Sequence, residues 1–227
     1  MRRLQVLVML CVGTLAFARA AAAQEPDPAP APLIRERIAP FVFDARVPIP
    51  RFKQDGTIAS GLGVETTDLP VRGIGLLGGA HVYPLRRGSF ALGFGAEIMR
   101  SRASKTRKGD SNPTPPIADG PSVKARWSHF SPQGSLNFGK RDGYSYLTVG
   151  MGKSKLTTEL DEDPQAVPES SVRTLNYGGG ARWFIKDHLA FNLDLRFYSI
   201  NAEEPTPGRT PNPKMRLLVF GAGVSIR

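Results

Sequence analysis

Residues 176–198 read NYGGGARWFIKDHLAFNLDLRFY, and the stretch divides by parity. Leu189, Phe191, Leu193, Leu195 and Phe197 take the odd positions, while Ala190, Asn192, Asp194, Arg196 and Tyr198 take the even ones. Side chains two apart share a face of a strand, so this is a strand with one apolar and one polar face. Which face turns inward decides the rest. A barrel in water hides the leucines, whereas a barrel in lipid hides the charges.

The same two-residue period recurs along the chain. It is read at Phe41 to Ile49, Val71 to Tyr83, Phe90 to Arg100, Lys124 to Phe138, Tyr144 to Leu156, the two segments of the opening stretch, and Lys214 to Arg227. Pro132 is a weak point in the fourth segment and suggests a bulge there. No segment beyond residue 37 keeps a helical period over three turns. Eight strands result, most of them reaching the 9 to 11 residues that a tilted strand needs to cross a bilayer. Short connections at Leu85 to Ser89, Gly139 to Gly143 and Ile185 to His188 alternate with long polar ones around 50–70, 103–122, 158–171 and 201–213. An up-and-down order puts the long ones at one end and the termini at the other.

The apolar alternation is symmetric between a soluble barrel that binds an apolar ligand and a membrane barrel, so the polar face has to decide. Glycines gather on it: Gly73, Gly75, Gly79, Gly93, Gly95, Gly150, Gly152, Gly178, Gly180, Gly221 and Gly223. A solvated strand face has no use for glycine, but the inside of a narrow eight-stranded barrel must mix small side chains with large ones. The glycine face is therefore read as the inside, making room for Arg182, Arg196, Tyr83 and Tyr198. The inward charges cancel, with Asp44, Glu97 and Asp194 against Arg46, Arg182 and Arg196. Charges taken out of water need partners, so a salt-bridged lumen network is expected. Trp127, Tyr144, Tyr177, Trp183 and Phe197 are expected to form interfacial aromatic girdles.

The ends agree with export. MRRLQVLVMLCVGTLAFARAAAAQ has a basic start, an apolar run from Leu4 to Phe17 and small residues before Gln24, the layout of a secretory signal peptide cut after Ala23. The run is too short to span a bilayer as a helix. Cys11 is the one cysteine and lies in that leader, after Leu10 rather than a small residue, so neither disulfides nor lipidation are expected. The leader holds three of the 30 basic and none of the 20 acidic residues, so the net charge of +10 falls to +7 on cleavage. The excess is local rather than spread along a face, so nucleic acid is not expected as a partner. Residues 24–37 are rich in Pro and Ala and read as a flexible periplasmic linker, leaving 38–227 as one barrel domain.

At this point the sequence resembles the small bacterial outer-membrane β-barrels of the OmpA/OmpX type. The likeness covers 38–227 as an architecture and is sharpest in NYGGGARWFIKDHLAFNLDLRFY, where a Gly-rich strand passes through a Lys-Asp turn into an amphipathic partner. It implies an eight-stranded antiparallel up-and-down transmembrane barrel. It also implies insertion by the barrel assembly machinery, outer-membrane lipid and lipopolysaccharide as surroundings, long loops facing outside and a monomeric, non-enzymatic role in structure, surface interaction or narrow-channel passage. Such barrels usually end in an aromatic residue read by that machinery; this chain ends Ser225, Ile226, Arg227. No peptidoglycan-binding domain follows, so that role of longer members is not implied.

Few motifs carry chemistry. GIGLLG at 73–78 matches a dinucleotide-binding pattern, but the chain continues GAHVYPL as strand with no helix to face a pyrophosphate. His81, His129 and His188 fall on separate elements with no metal spacing, and neither metal nor cofactor is expected. The sharper pair is His129 and Ser131 in WSHFSPQG, which resembles part of the His-x-Ser-Asn motif of outer-membrane lipid A deacylases, with histidine as base and serine as nucleophile. Pro132 stands where that motif has Asn, and no acidic residue lies between 120 and 141. Finally, the region 100–126 reads as a basic loop. Arg100, Arg102, Lys105, Arg107, Lys108, Lys124 and Arg126 face only Asp110 and Asp119, and the first five are expected to contact lipopolysaccharide phosphates. ELDED at 159–163 is its acidic counterpart.

Overall fold

The computed structural model describes residues 37–109, 118–161, 170–205 and 211–227. The expected leader and all but the last residue of the expected linker lie outside them. Eight antiparallel strands follow in order: β1 (Phe41–Arg51), β2 (Ile74–Arg87), β3 (Phe90–Arg107), β4 (Gly120–Lys140), β5 (Gly143–Leu160), β6 (Val172–Phe184), β7 (Leu189–Ile200) and β8 (Met215–Ile226). Each pairs with the next, and β1 closes on β8 from Phe43↔Ile226 to Arg51↔Leu218, giving a closed barrel in which no strand edge is left open.

Parity sets the two faces. Phe43, Leu76, Phe94, Phe130, Leu147, Leu175, Leu195 and Phe220, one from each strand, are all 41–67% exposed and point outward. The intervening positions are buried or half-buried. The glycines sit inside, and the structure adds a reason for them that volume alone did not supply. A Cβ built on Gly75, Gly95, Gly152, Gly178, Gly180 or Gly223 would overlap a backbone carbonyl oxygen of the strand beside it. These positions let the strands coil tightly, while Gly93 makes room for the Tyr83 ring.

The expected bulge at Pro132 is absent: Phe130↔Lys153 and Gln133↔Gly150 keep one register across it. Proline at an outward-facing position with a gap of two in the ladder suffices. The extra residue falls instead at Tyr83–Pro84, where β2 slips against β3 between Val82 and Leu85. In the tight turn after β2, Gly88 takes φ 56, a left-handed conformation that costs glycine nothing.

The interior has three storeys. At the short-turn end Ile38, Val42, Tyr83, Ala91 and Tyr144 form a small apolar plug. The middle is polar. At the long-loop end the inside becomes apolar, with Leu77, Met99, Val123, Ala125, Trp127, Leu156 and Leu217. The connection 52–73, expected as a polar loop, folds onto this mouth. Helix α1 (Gly56–Leu62) starts where Asp55 accepts from the Thr57 N–H at 3.0 Å and stops at Gly63, φ 64. Ile58, Leu69 and Phe52 then cover the apolar mouth. Replacing Ile58 by Asp should lift this cover, because an unpaired charge among apolar side chains is unfavourable by several kcal/mol. Trypsin should then cut after Lys53 much faster than in the native barrel, while the barrel keeps its folded mobility on an unboiled gel.

Candidate functional site: a sealed polar lumen and a basic collar

The polar storey is built by inward positions of seven strands, and the six charged residues singled out in the sequence meet there. Arg182 grips Asp44 through two nitrogens at 3.1 and 2.6 Å, and lies over the Tyr146 ring at 4.1 Å. Arg46 is ion-paired with Asp194, and sits 3.7 Å from Asp44 and 3.6 Å from Glu97. Arg196 donates to Asp194 at 2.9 Å and to Glu97 and Gln133. Tyr198 and Asn176 donate to the other Glu97 oxygen at 2.9 and 3.1 Å, and Ser225 donates to Asp44 at 2.6 Å. Three cations and three anions alternate. None of the six residues is more than 5% exposed, so the network is packed away from solvent. Their side chains take up the room that the inward glycines leave.

His129 and Ser131 share the inward face, buried at 2% and 0% exposure. The His129 ring bonds Ser154 at 2.9 Å rather than Ser131, and Ser131 donates to the Pro132 carbonyl at 2.9 Å. Both side chains face the lumen, away from the exposed apolar wall. His81 is buried in the lumen and His188 is exposed in the turn after β6.

The basic region differs from its sequence reading. Arg100, Arg102, Lys105 and Arg107 lie on β3, and Lys124 and Arg126 lie on β4; only Lys108 falls just past a strand. Past Ile98 the outward face of β3 changes from apolar to Arg100, Arg102 and Ser104 with no change of register, while Met99, Ser101 and Ala103 take the inside. An arginine there looks like the end of a strand in sequence, because the outward apolar run stops. Lys105 and Arg107 turn toward the cover over the mouth: Lys105 donates to the Thr67 carbonyl and Arg107 pairs with Asp68 at 3.3 Å.

Register reveals what residue spacing did not. Arg102 stands opposite Arg126, Lys153 opposite Arg173, and Arg51 opposite Arg72. Like charges directly opposite repel, yet three such pairs ring the barrel just past the apolar band. Arg126 has Glu159 at 3.0 Å. Two hollows on this wall, of about 640 and 570 Å³, share Ile74, Arg102 and Arg126, and the larger adds Arg100 and Lys155. A collar of this kind fits a multiply charged anion that sits between paired cations.

Of the expected aromatic girdle, Tyr177, Trp183 and Phe197 do face outward at 40–48% exposure, the first stacked on the last at 5.5 Å. Trp127 and Tyr144 do not. They share the parity of His129 and Tyr146 and point inward, 1% and 4% exposed.

No family model matches the chain, and no curated protein sequence matches it. Solved structures do. Neisserial surface protein A is similar at 12% identity and TM-score 0.48, over 83% of this chain and 97% of that one. The attachment invasion locus protein Ail of Yersinia pestis, solved in complex with the heparin analogue sucrose octasulfate, is similar at 10% and 0.45, over 85% and 98%. The N-terminal β-barrel domain of Pseudomonas aeruginosa OprF is similar at 10% and 0.42, over 82% and 96%. The fold itself rests on the closed sheet described above.

Proposed function

We propose that the chain is a non-enzymatic outer-membrane barrel, sealed along its axis, whose working surface is the outer wall and the long-loop end rather than a pore. The observation that carries this reading is the exposed apolar band contributed by all eight strands. An apolar surface that circles a molecule without interruption needs a solvent other than water. A soluble barrel would place these side chains inside, and here the inside holds the charges. The collar lies immediately beyond the band on the long-loop side, the level of lipopolysaccharide phosphates if those loops face outward. Guanidinium and ammonium groups bind phosphate through charge-assisted hydrogen bonds, each contributing about 1.5–3 kcal/mol.

Fractionation tests the location. The protein should sediment with outer membranes and shift mobility on a gel when boiled; recovery in the soluble periplasmic fraction would overturn the reading. The collar has its own test. Replacing Arg100 and Arg102 together by Glu should lower co-purified lipopolysaccharide at least about tenfold, a change of 1.4 kcal/mol, without affecting the gel shift. Equal retention by the variant counts against the collar alone.

A further inference from the structure

The opposite end of the barrel carries a second basic site of different construction. A hollow of about 360 Å³ opens there, lined by Arg37, Arg86, Arg141 and Arg227 together with Phe41, Asp187 and His188. The guanidiniums are held by neutral groups. Arg227 donates from Nε to the Asp187 carbonyl at 2.7 Å and from Nη1 to the Arg141 carbonyl, and lies over the Phe184 ring at 3.6 Å. Arg86 donates to the Ile38 carbonyl at 3.3 Å. Among the described residues, no ion pair joins any of these four arginines to a carboxylate, whereas Lys53, Arg107, Lys124, Arg126 and the lumen cations are all paired.

Carbonyls and a ring orient Arg86 and Arg227 without neutralising them, and Asp187 is the one carboxylate side chain in the lining. Partial burial, and after it the nearness of Arg141, holds the Arg227 guanidinium below its usual value, against the smaller opposing pull of Asp142 and Asp187. The hollow also touches the apolar wall: Phe41 lines it and is 44% exposed on the outward face. A ligand that fits has an anionic head for the arginines and an apolar body to lie along the strands.

We propose that this hollow binds the headgroup phosphate of an anionic phospholipid from the inner leaflet, with the acyl chains running along the wall past Phe41. The proposal rests on the membrane-spanning reading and adds to it a specific lipid at the short-turn end. Arg86, Arg141 and Arg227 supply charge, and Arg37 joins them from the segment before β1.

The full chain, folded in detergent, is mixed with phosphatidylglycerol or, separately, with diacylglycerol, and retained lipid is counted by native mass spectrometry. The native barrel should retain phosphatidylglycerol and not diacylglycerol. Arg86→Gln with Arg141→Gln should reduce retention at least about tenfold, whereas Lys186→Gln, exposed at the same end, and the Arg100/Arg102 collar variant should leave it unchanged. If the double variant loses its folded gel mobility, Arg37→Gln decides, since Arg37 precedes β1; a roughly threefold drop supports the site. Equal retention of both lipids, no loss in the variants, or retention of soluble peptidoglycan fragments in place of lipid overturns the proposal. Failure of the membrane reading shows separately, as absence of the gel shift.

Discussion

Replacing Asp194 by Ala is expected to destabilise the barrel by about 3–5 kcal/mol, the cost of leaving a buried cation without its partner. Asp194 accepts from Arg196 at 2.9 Å and pairs with Arg46, and Tyr146 donates to it at 3.4 Å. Its removal leaves three cations facing two anions in a space closed to water. Adding Arg196→Met to the same chain restores equal charge and should recover more than half of the loss, although the same network would have lost two polar members. Equilibrium urea unfolding in detergent, followed by the fluorescence of Trp127 and Trp183, reads both values by linear extrapolation. A loss below about 1 kcal/mol for the single change would mean that water reaches the lumen in solution.

The second large effect is on the outside. Leu195→Arg should destabilise the barrel by about 2–4 kcal/mol in lipid vesicles, the range for arginine on a lipid-facing strand at mid-depth. Leu195 is 44% exposed, pairs with Gly179 and Phe220, and lies near the middle of β7. The same substitution on a water-facing strand stays within about 0.5 kcal/mol. The two solvents therefore predict different outcomes for one side chain. A negligible effect in vesicles would return the chain to the soluble-barrel reading.

Much of this fold was legible because a two-residue period survives in every strand, and because glycine collects on one side of it. The eight strands, their up-and-down order and the closed sheet follow from that pattern. What escaped has specific causes. Strand β3 was ended at Arg100 because its outward face turns from phenylalanine and isoleucine to arginine while the backbone continues unbroken, and β4 and β5 each run four residues further at the long-loop end than their period showed. The seven-residue α1 is too short for a helical period to register, and its apolar anchors Ile58 and Leu69 lie among polar neighbours. Trp127 was assigned by its type, as an interfacial aromatic, when its parity with His129 already put it inside. The meeting of the six lumen charges followed from parity and neutrality, but who grips whom depends on register, and so do the facing pairs Arg102/Arg126 and Lys153/Arg173. Register is set by pairings between distant segments, which no local spacing contains.

The unequal strands have a geometric consequence. β3, β4 and β5 run 18, 21 and 18 residues, against 12 for β7 and for β8. Six further residues at about 3.3 Å each raise one side of the wall roughly 20 Å along the strands. The rim is oblique, and most of the collar's cations stand on its high side. On the membrane-spanning reading, such a molecule has a front and a back within the plane of the bilayer. Neighbouring molecules and lipids meet different surfaces according to the direction from which they approach, so rotation about the barrel axis becomes a variable in how these barrels crowd together.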